Sequence, residues 1–401
     1  MQWRFEALAY SLVEGIAGAF PGSWVCRCGE ALGGLAWHLL PGRRKTVLRN
    51  LRIAFHGELD SAAIHRLAKA SFRRTGSNLF GATRTAALDR DALAKVVEVR
   101  GIDHIDEALS QGRGLVVLIP HMGNWEVLSR IHLLMPGDRR MGAFYRPLNN
   151  PVMDRRVRKR READGTRMFS KHDGALQAIS FLRENTMLGI LADQRVGMAG
   201  DIVPFFGRIT RASPLPSLLS RRVKCPVLVL STRTERPGYW TVEFRPVEPP
   251  ATTAACMDAI ETAMRSSPED YFWLQERWKV YVRPEHPINE WLGATSGRGE
   301  TPHRALVWLD GAPTGWRPPG AWFHPDVDYE AVLTDDTPLP DWLPPETKRH
   351  TPPTGSGQLR AAVSRIDAAA PLPLDFIVAP AALRDLAKAG KREGIPVVLL
   401  P

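Results

Sequence analysis

The sequence predicts an α/β protein: a largely parallel sheet flanked by helices, with apolar helical segments before it and a small α/β appendage after it. Three observations carry that expectation. Short β-branched runs recur along the chain, and segments with helical apolar spacing separate them. The run Gly114 to Pro120 is also apolar throughout rather than at every second residue, as a strand covered on both faces requires.

The elements follow in order. Val47, Leu48, Leu51, Ala54 and Phe55 keep helical spacing, as do Ile64, Leu67, Ala68, Phe72 and Leu79. Strands are expected at Val96–Val99, Leu115–Ile119, Met141–Tyr145, Met187–Leu191, Val227–Thr234 and Trp240–Phe244. Helices are expected at Asp173–Glu184 and at Ala254–Arg265, where Met257, Ile260 and Met264 share one side and Pro268 stands beyond the end. After a Gly-, Ser- and Thr-rich stretch, Ala305–Leu309, Ala331–Leu333, Phe376–Val378 and Ile395–Leu400 read as strands, and Ala382–Arg392 as a helix. The expected organisation is therefore 1–42 apolar helices, 43–290 main domain, 291–301 linker and 302–401 appendage.

Composition narrows the partners. The 401 residues carry a net charge of +10 and a pI near 9.7, which favours anionic partners such as phospholipid, acidic protein or nucleic acid. Four cysteines in so long a chain make no disulfide framework, and Cys26-Arg-Cys28 lacks a second ligand pair, so no metal is expected. Ala7 to Cys26 and Ala31 to Leu40 are apolar, but Glu14 and Pro21 interrupt the first, and Arg43-Arg44-Lys45 follow the second. That pattern fits an interfacial or monotopic membrane anchor with its basic residues on the cytoplasmic side. The run Arg155 to Arg161 holds six basic residues in seven without interleaved aromatics, so a nucleic-acid module is not expected there.

The densest chemical signal is His121-Met-Gly-Asn-Trp-Glu126, directly after the run Gly114 to Pro120. His121 is placed at the carboxyl end of a strand, where open α/β sheets carry their sites. With Asn124 as N-cap and Glu126 in the first helical turn, Glu126 is expected to take the proton of one ring nitrogen and leave the other as a general base. Amides at Gly123 and Asn124 are expected to be unpaired at the helix start and able to bind an oxyanion. Arg146 follows a strand as His121 does, and a guanidinium there can fork onto phosphate or carboxylate. Asp193 and Gln194 follow another strand, with Asp193 expected to hold a loop or pair with an arginine.

Further blocks stand at Asn50-Leu-Arg-Ile-Ala-Phe55, Tyr145-Arg-Pro-Leu-Asn-Asn150, Val203-Pro-Phe-Phe-Gly207 and Pro268 to Lys279. In this order the chain resembles the lipid A biosynthesis acyltransferase family, within the His-x4-Asp/Glu glycerolipid acyltransferase group, over about residues 1 to 290. The resemblance implies transfer of a fatty acyl chain from acyl carrier protein to a hydroxyl of a lipid A precursor at the cytoplasmic face of the inner membrane. No cofactor is implied beyond the acyl thioester. Catalysis would rest on His121 and Glu126, with Arg146, Asp193, Gln194 and Arg277 toward substrate. Val203 to Gly207 would line an acyl groove.

The chain departs from the family's pattern at Gln275-Glu276, where a basic pair is usual, although Arg277 and Lys279 are retained. Transfer from acyl-CoA to a lysophospholipid, and a non-catalytic basic membrane-binding protein, remain the alternative readings.

Overall fold

In the computed structural model the described residues are 15, 18–145, 147–170, 174–197, 199–278, 288 and 303–401. They fall into two compact units. The first is Met1–Arg44, Arg66–Gln194 and Ala212–Trp273; the second is Lys45–His65, Arg195–Arg211 and Leu274–Pro401.

The first unit is built on a seven-stranded sheet. With strands numbered along the whole chain, it holds β1 (Val97–Arg100), β2 (Leu115–Ile119), β3 (Met141–Tyr145), β4 (Arg167–Ser170), β5 (Met187–Leu191), β8 (Val227–Arg236) and β9 (Tyr239–Pro246). Their order is β1-β9-β8-β2-β5-β3-β4, parallel throughout except between β8 and β9. The last pair is joined by a short turn at Pro237-Gly238, too short for the crossover that a parallel pair needs. All five residues of β2 are buried, which accounts for its unbroken apolar run.

Helix Gly22–Leu39 packs on helix Ser61–Thr85 through small residues. A Cβ on Gly29 would stand 2.4 Å from Gly76 O, and one on Gly76 would stand 2.2 Å from Gly29 O. Only glycine permits that approach, and Trp37 against Phe72, at 5.4 Å between ring centroids, closes the contact. Among the described residues no helix is long and apolar enough to cross a membrane. Residues 1–14, 16 and 17 of the expected anchor, and the expected linker 291–301, lie outside the described residues.

The segment after His121 differs from expectation. Residues Trp125–Leu134 form a 3-10 helix rather than an α-helix, closed by bonds such as Val127 N–H to Asn124 O at 3.2 Å. Side chains three apart line up in such a helix, so Leu128 and Ile131 both reach the core. Arg130 and His132 are tied to Asp164, which holds the opposite side.

The second unit holds the hairpin β6 (Asp201–Phe205) and β7 (Arg208–Ala212) and a five-stranded sheet. That sheet contains β10 (His303–Trp308), β11 (Val327–Val332), β12 (Lys348–His350), β13 (Phe376–Pro380) and β14 (Val397–Leu400) in the order β12-β11-β10-β13-β14, all parallel. Helices Leu359–Ala368 and Arg384–Glu393 cover one face through Val363, Ile366 and Leu386; Trp322, Tyr329, Leu343 and Ile209 cover the other. Segments 45–65 and 195–211, expected within the main domain, thus pack with the carboxyl-terminal sheet. Buried charge pairs join them: Arg208 to Asp375 at 2.6 Å and Arg49 to Asp367 at 2.6 Å.

Burial pushes the Asp375 carboxyl up, but Arg208 and His303 outweigh it and hold it down to about 2. Its stabilising contribution is therefore present above the ordinary carboxyl value and is lost as pH falls toward 2. Asp375→Ala would strand the buried Arg208 and is expected to cost about 3–5 kcal/mol, read as a lowered denaturation midpoint. An unchanged midpoint would mean that this pair does not hold the unit together.

Candidate active site

His121 stands two residues beyond β2, and Asp193 stands two residues beyond β5. The two strands are parallel neighbours with Ile119 opposite Leu191, so equal offsets bring both side chains to one place. The His121 Nδ1–H donates to Asp193 Oδ1 at 2.7 Å, and the His121 backbone N–H donates to Asp193 Oδ2 at 3.0 Å. Asp193 is fully buried, and the Tyr271 hydroxyl also serves its carboxylate.

This corrects the expected pairing. Glu126 does not take the Nδ1 proton; its two oxygens accept from Arg161 Nε and Nη2 at 3.1 and 2.6 Å. The reason is the register of β2 and β5, which fills the space beside Nδ1 with Asp193. Asp193, expected to hold a loop or pair with an arginine, does hold the loop after β2 through the His121 backbone N–H, and its other oxygen takes the histidine ring rather than an arginine. Gln194 Nε2 lies 3.1 Å from His121 Nε2.

The electrostatics follow from these contacts. Burial disfavours the charged imidazole, yet the Asp193 charge and hydrogen bond outweigh it and raise the His121 pKa; Glu126 adds to the rise and Arg161 opposes it. Burial likewise pushes Asp193 up, but His121 and its other donors outweigh that and hold it below its ordinary value. The carboxylate is therefore charged, Nδ1 keeps its proton, and Nε2 carries the lone pair.

The backbone beside His121 is fixed from the other side. The His121 carbonyl accepts from Phe272 N–H at 2.9 Å, and Met122 bridges to Tyr271. The Gly123 amide, expected to be free for an oxyanion, donates to Asp270 O at 2.9 Å. Asn124 does not cap the 3-10 helix; its side chain donates to Thr85 Oγ1 at 3.0 Å. Among the described residues no hydrogen bond engages the Asn124 amide, which leaves it as the oxyanion candidate of the two. Gly123 is obligatory, with φ +57° and a would-be Cβ 2.4 Å from Thr232 O.

Sequence reasoning missed Asp270. Its carboxylate, buried, accepts from Asn78 Nδ2 at 3.0 Å, Thr234 N–H at 2.8 Å and Ser267 Oγ at 2.8 Å. Trp125 and Phe272 were missed as well: Trp125 lies 5.4 Å edge-on to the His121 ring, and Phe272 lies 5.7 Å from Trp125. The available signal was the block Pro268 to Trp273, where two carboxylates directly precede three consecutive aromatics.

Other expectations fall elsewhere. Arg146 and Lys279 lie outside the described residues. Arg277, in the second unit, is buried, donates to Thr210 Oγ1 at 2.6 Å and stacks over Phe205, so its guanidinium serves packing. Phe205 and Phe206 are likewise buried, against Trp278 and Phe55, rather than lining an open groove. The basic run forms helix Pro151–Glu162, which buries no residue and is capped by Asn150. Among the described residues no three His, Cys, Asp or Glu side chains cluster as a metal site would need.

The fold and site together define an α/β protein in which a buried carboxylate orients a histidine at the carboxyl edge of parallel strands. The chain belongs to the bacterial lipid A biosynthesis acyltransferase family, whose sequence pattern matches residues 3–280. It is accordingly an acyltransferase. It is 27% identical to the lipid A biosynthesis lauroyltransferase of Escherichia coli K12 over 274 residues, covering 65% of this chain and 86% of that protein. It is 25% identical to a lipid A biosynthesis acyltransferase of Haemophilus influenzae, across 49% of this chain and 63% of that one, just under two thirds. It is also 26% identical to the phosphatidylinositol mannoside acyltransferase of Mycolicibacterium smegmatis, across 53% and 71% of the two chains.

The two carboxylates are separable by mutation. Asp193→Asn removes the charge that raises His121, so the acid limb of activity is expected to move to lower pH while turnover falls about 10²–10⁴-fold. Glu126→Gln, which removes a smaller raising charge and frees Arg161, is expected to move that limb down by less than Asp193→Asn does. Equal displacement of the limb by both variants would show that Glu126 governs the base after all.

Proposed function

We propose that this protein is a membrane-associated O-acyltransferase that moves a fatty acyl chain from acyl carrier protein to a hydroxyl of a lipid A precursor or related glycolipid. The observation that carries the reading is the His121–Asp193 pair, which leaves Nε2 as a base at the sheet edge. His121 Nε2 takes the acceptor hydroxyl's proton as that oxygen attacks the thioester carbonyl, the C–S bond breaks, and the thiolate recovers the proton from the imidazolium. Asp193 stabilises the imidazolium, and the Asn124 amide faces the developing oxyanion. Trp125 and Phe272 keep water from the reacting carbonyl, which favours transfer over hydrolysis.

A glycolipid acceptor is supported from two sides. Relatives named for lipid A and relatives named for phosphatidylinositol mannoside align with the same chain, and both names denote saccharide-bearing lipids. The donor's acidity suits helix Pro151–Glu162, where Arg155 and Lys159 are exposed and Arg161 is held by Glu126. We assign Glu126 the role of fixing that helix beside the site while adding to the field at His121.

Membrane attachment draws on the outer side of helix Gly22–Leu39. Trp24 and Leu39 are each 66% exposed, and Leu32 and Leu35 share that side, with the exposed Arg27 one turn along from Trp24. Exposed apolar area rimmed by arginine suits the interface of an anionic bilayer. A variant with Trp24→Ser and Leu35→Ser is expected to lose most binding to anionic phospholipid vesicles while remaining folded. Retained binding would remove this helix from the attachment surface.

The activity is tested with wild-type protein and His121→Ala, each given acyl carrier protein thioester and a Gram-negative lipid extract, with products read by mass spectrometry. An acylated glycolipid made by wild type alone is the expected result. Acylated phospholipid from acyl-CoA would replace the acceptor and donor named here. No transfer by folded, membrane-bound protein would leave a binding role instead.

A further inference from the structure

Gln194 is the one exposed side chain in contact with His121 Nε2 among the described residues, at 3.1 Å. The identity of its contacting group follows from the other side of the ring. Nδ1 gives its proton to the buried Asp193 carboxylate, so Nε2 has only a lone pair to offer. Gln194 must therefore turn its amide nitrogen to the ring and donate, which is the orientation found. The donated bond occupies the lone pair that the acyl transfer reading needs.

We propose that Gln194 stands in for the acceptor hydroxyl: its amide caps His121 Nε2 in the unloaded enzyme and swings aside when the lipid hydroxyl takes its place. This rests on the acyl transfer reading and deepens it by locating the acceptor oxygen. An incoming hydroxyl donates to the same lone pair from the same side, so the amide marks where that oxygen sits. The exchange needs only side-chain rotation, because the neighbouring Asp193 is anchored by the His121 amide and ring and the displaced side chain is exposed to water. One hydrogen bond replaces another at the ring, and the displaced amide is rehydrated, so binding loses little to the exchange. In the free enzyme the cap also favours the neutral ring, because a donor to Nε2 interacts only with the unprotonated form.

The consequence is a pH effect confined to the unloaded state. The charged and titratable groups that act on His121 are Asp193, Glu126 and Arg161, with the Tyr271 hydroxyl acting through Asp193, and none is altered by changing Gln194. In Gln194→Ala, the His121 titration in unloaded protein, followed by NMR of the labelled imidazole, is expected to move up by about half to one pH unit. The acid limb of kcat/KM is expected to rise with it. The acid limb of kcat, set in the loaded enzyme, is expected to stay in place. Gln194→Asn, one methylene shorter, is expected to behave as the alanine variant does.

An unmoved NMR titration would overturn the cap. Equal movement of both kinetic limbs would show that Gln194 stays on the ring during transfer and would overturn the exchange. The NMR titration needs no turnover, so a failure of the acyl transfer reading would show as absent product with the titration shift intact.

Discussion

The register between β2 and β5 is the constraint on which the rest of the site depends. Ile119 opposes Leu191, and two residues on from each stand His121 and Asp193. Parallel neighbours deliver their following loops to the same edge of a sheet; an antiparallel neighbour would have delivered Asp193 to the far edge. A slip of one residue between the two strands would put their following loops out of step and carry the Asp193 carboxylate away from His121 Nδ1. The geometry of the histidine–carboxylate pair is thus set by the same strand register that builds the sheet.

Asp193 in turn tolerates burial only because it is fully served. A carboxylate shut from water needs partners, and here a ring N–H, a backbone N–H and a tyrosine hydroxyl surround it. The opposite side of the loop is closed by the strap Asp270 to Phe272, which fixes His121 O and Gly123 N–H and is itself anchored through Asn78, Thr234 and Ser267. With the backbone clamped on both sides, exposed side chains are the freer part of the site, and among the described residues Gln194 is the one that reaches His121 Nε2.

Much of this was legible in the sequence, and the boundary has physical causes. β2, β3 and β5 match their expected limits because each is a run of five residues without a charge, with β2 and β5 buried almost throughout. His121 was recognisable because it interrupts such a run at the carboxyl end. Its partner was not, because the order of strands in a sheet and their register are long-range properties that local spacing does not encode. Strands β4, β6 and β7 escaped notice for a related reason: Arg167, Asp201, Arg208 and Arg211 break the apolar pattern, and the buried Arg208 is answered by Asp375, far along the chain. The same pairing hid the second unit, whose core draws on segments 45–65 and 195–211 as well as on the carboxyl-terminal sheet.

The short motif at His121 therefore divides between two tasks. A glutamate already forked by Arg161 is a poor acceptor for a histidine proton, since both its oxygens are engaged and its charge is largely neutralised at close range. What the fork does achieve is placement. Helix Pro151–Glu162 buries no residue, so apolar contact contributes little to holding it, and a half-buried bidentate ion pair becomes a substantial part of its attachment. Glu126 thereby sets where the basic helix stands relative to the base, and the proton on Nδ1 is governed from a residue 72 positions along the chain. The two carboxylates act on one histidine from different distances: one fixes its tautomer, and the other fixes the charged surface beside it.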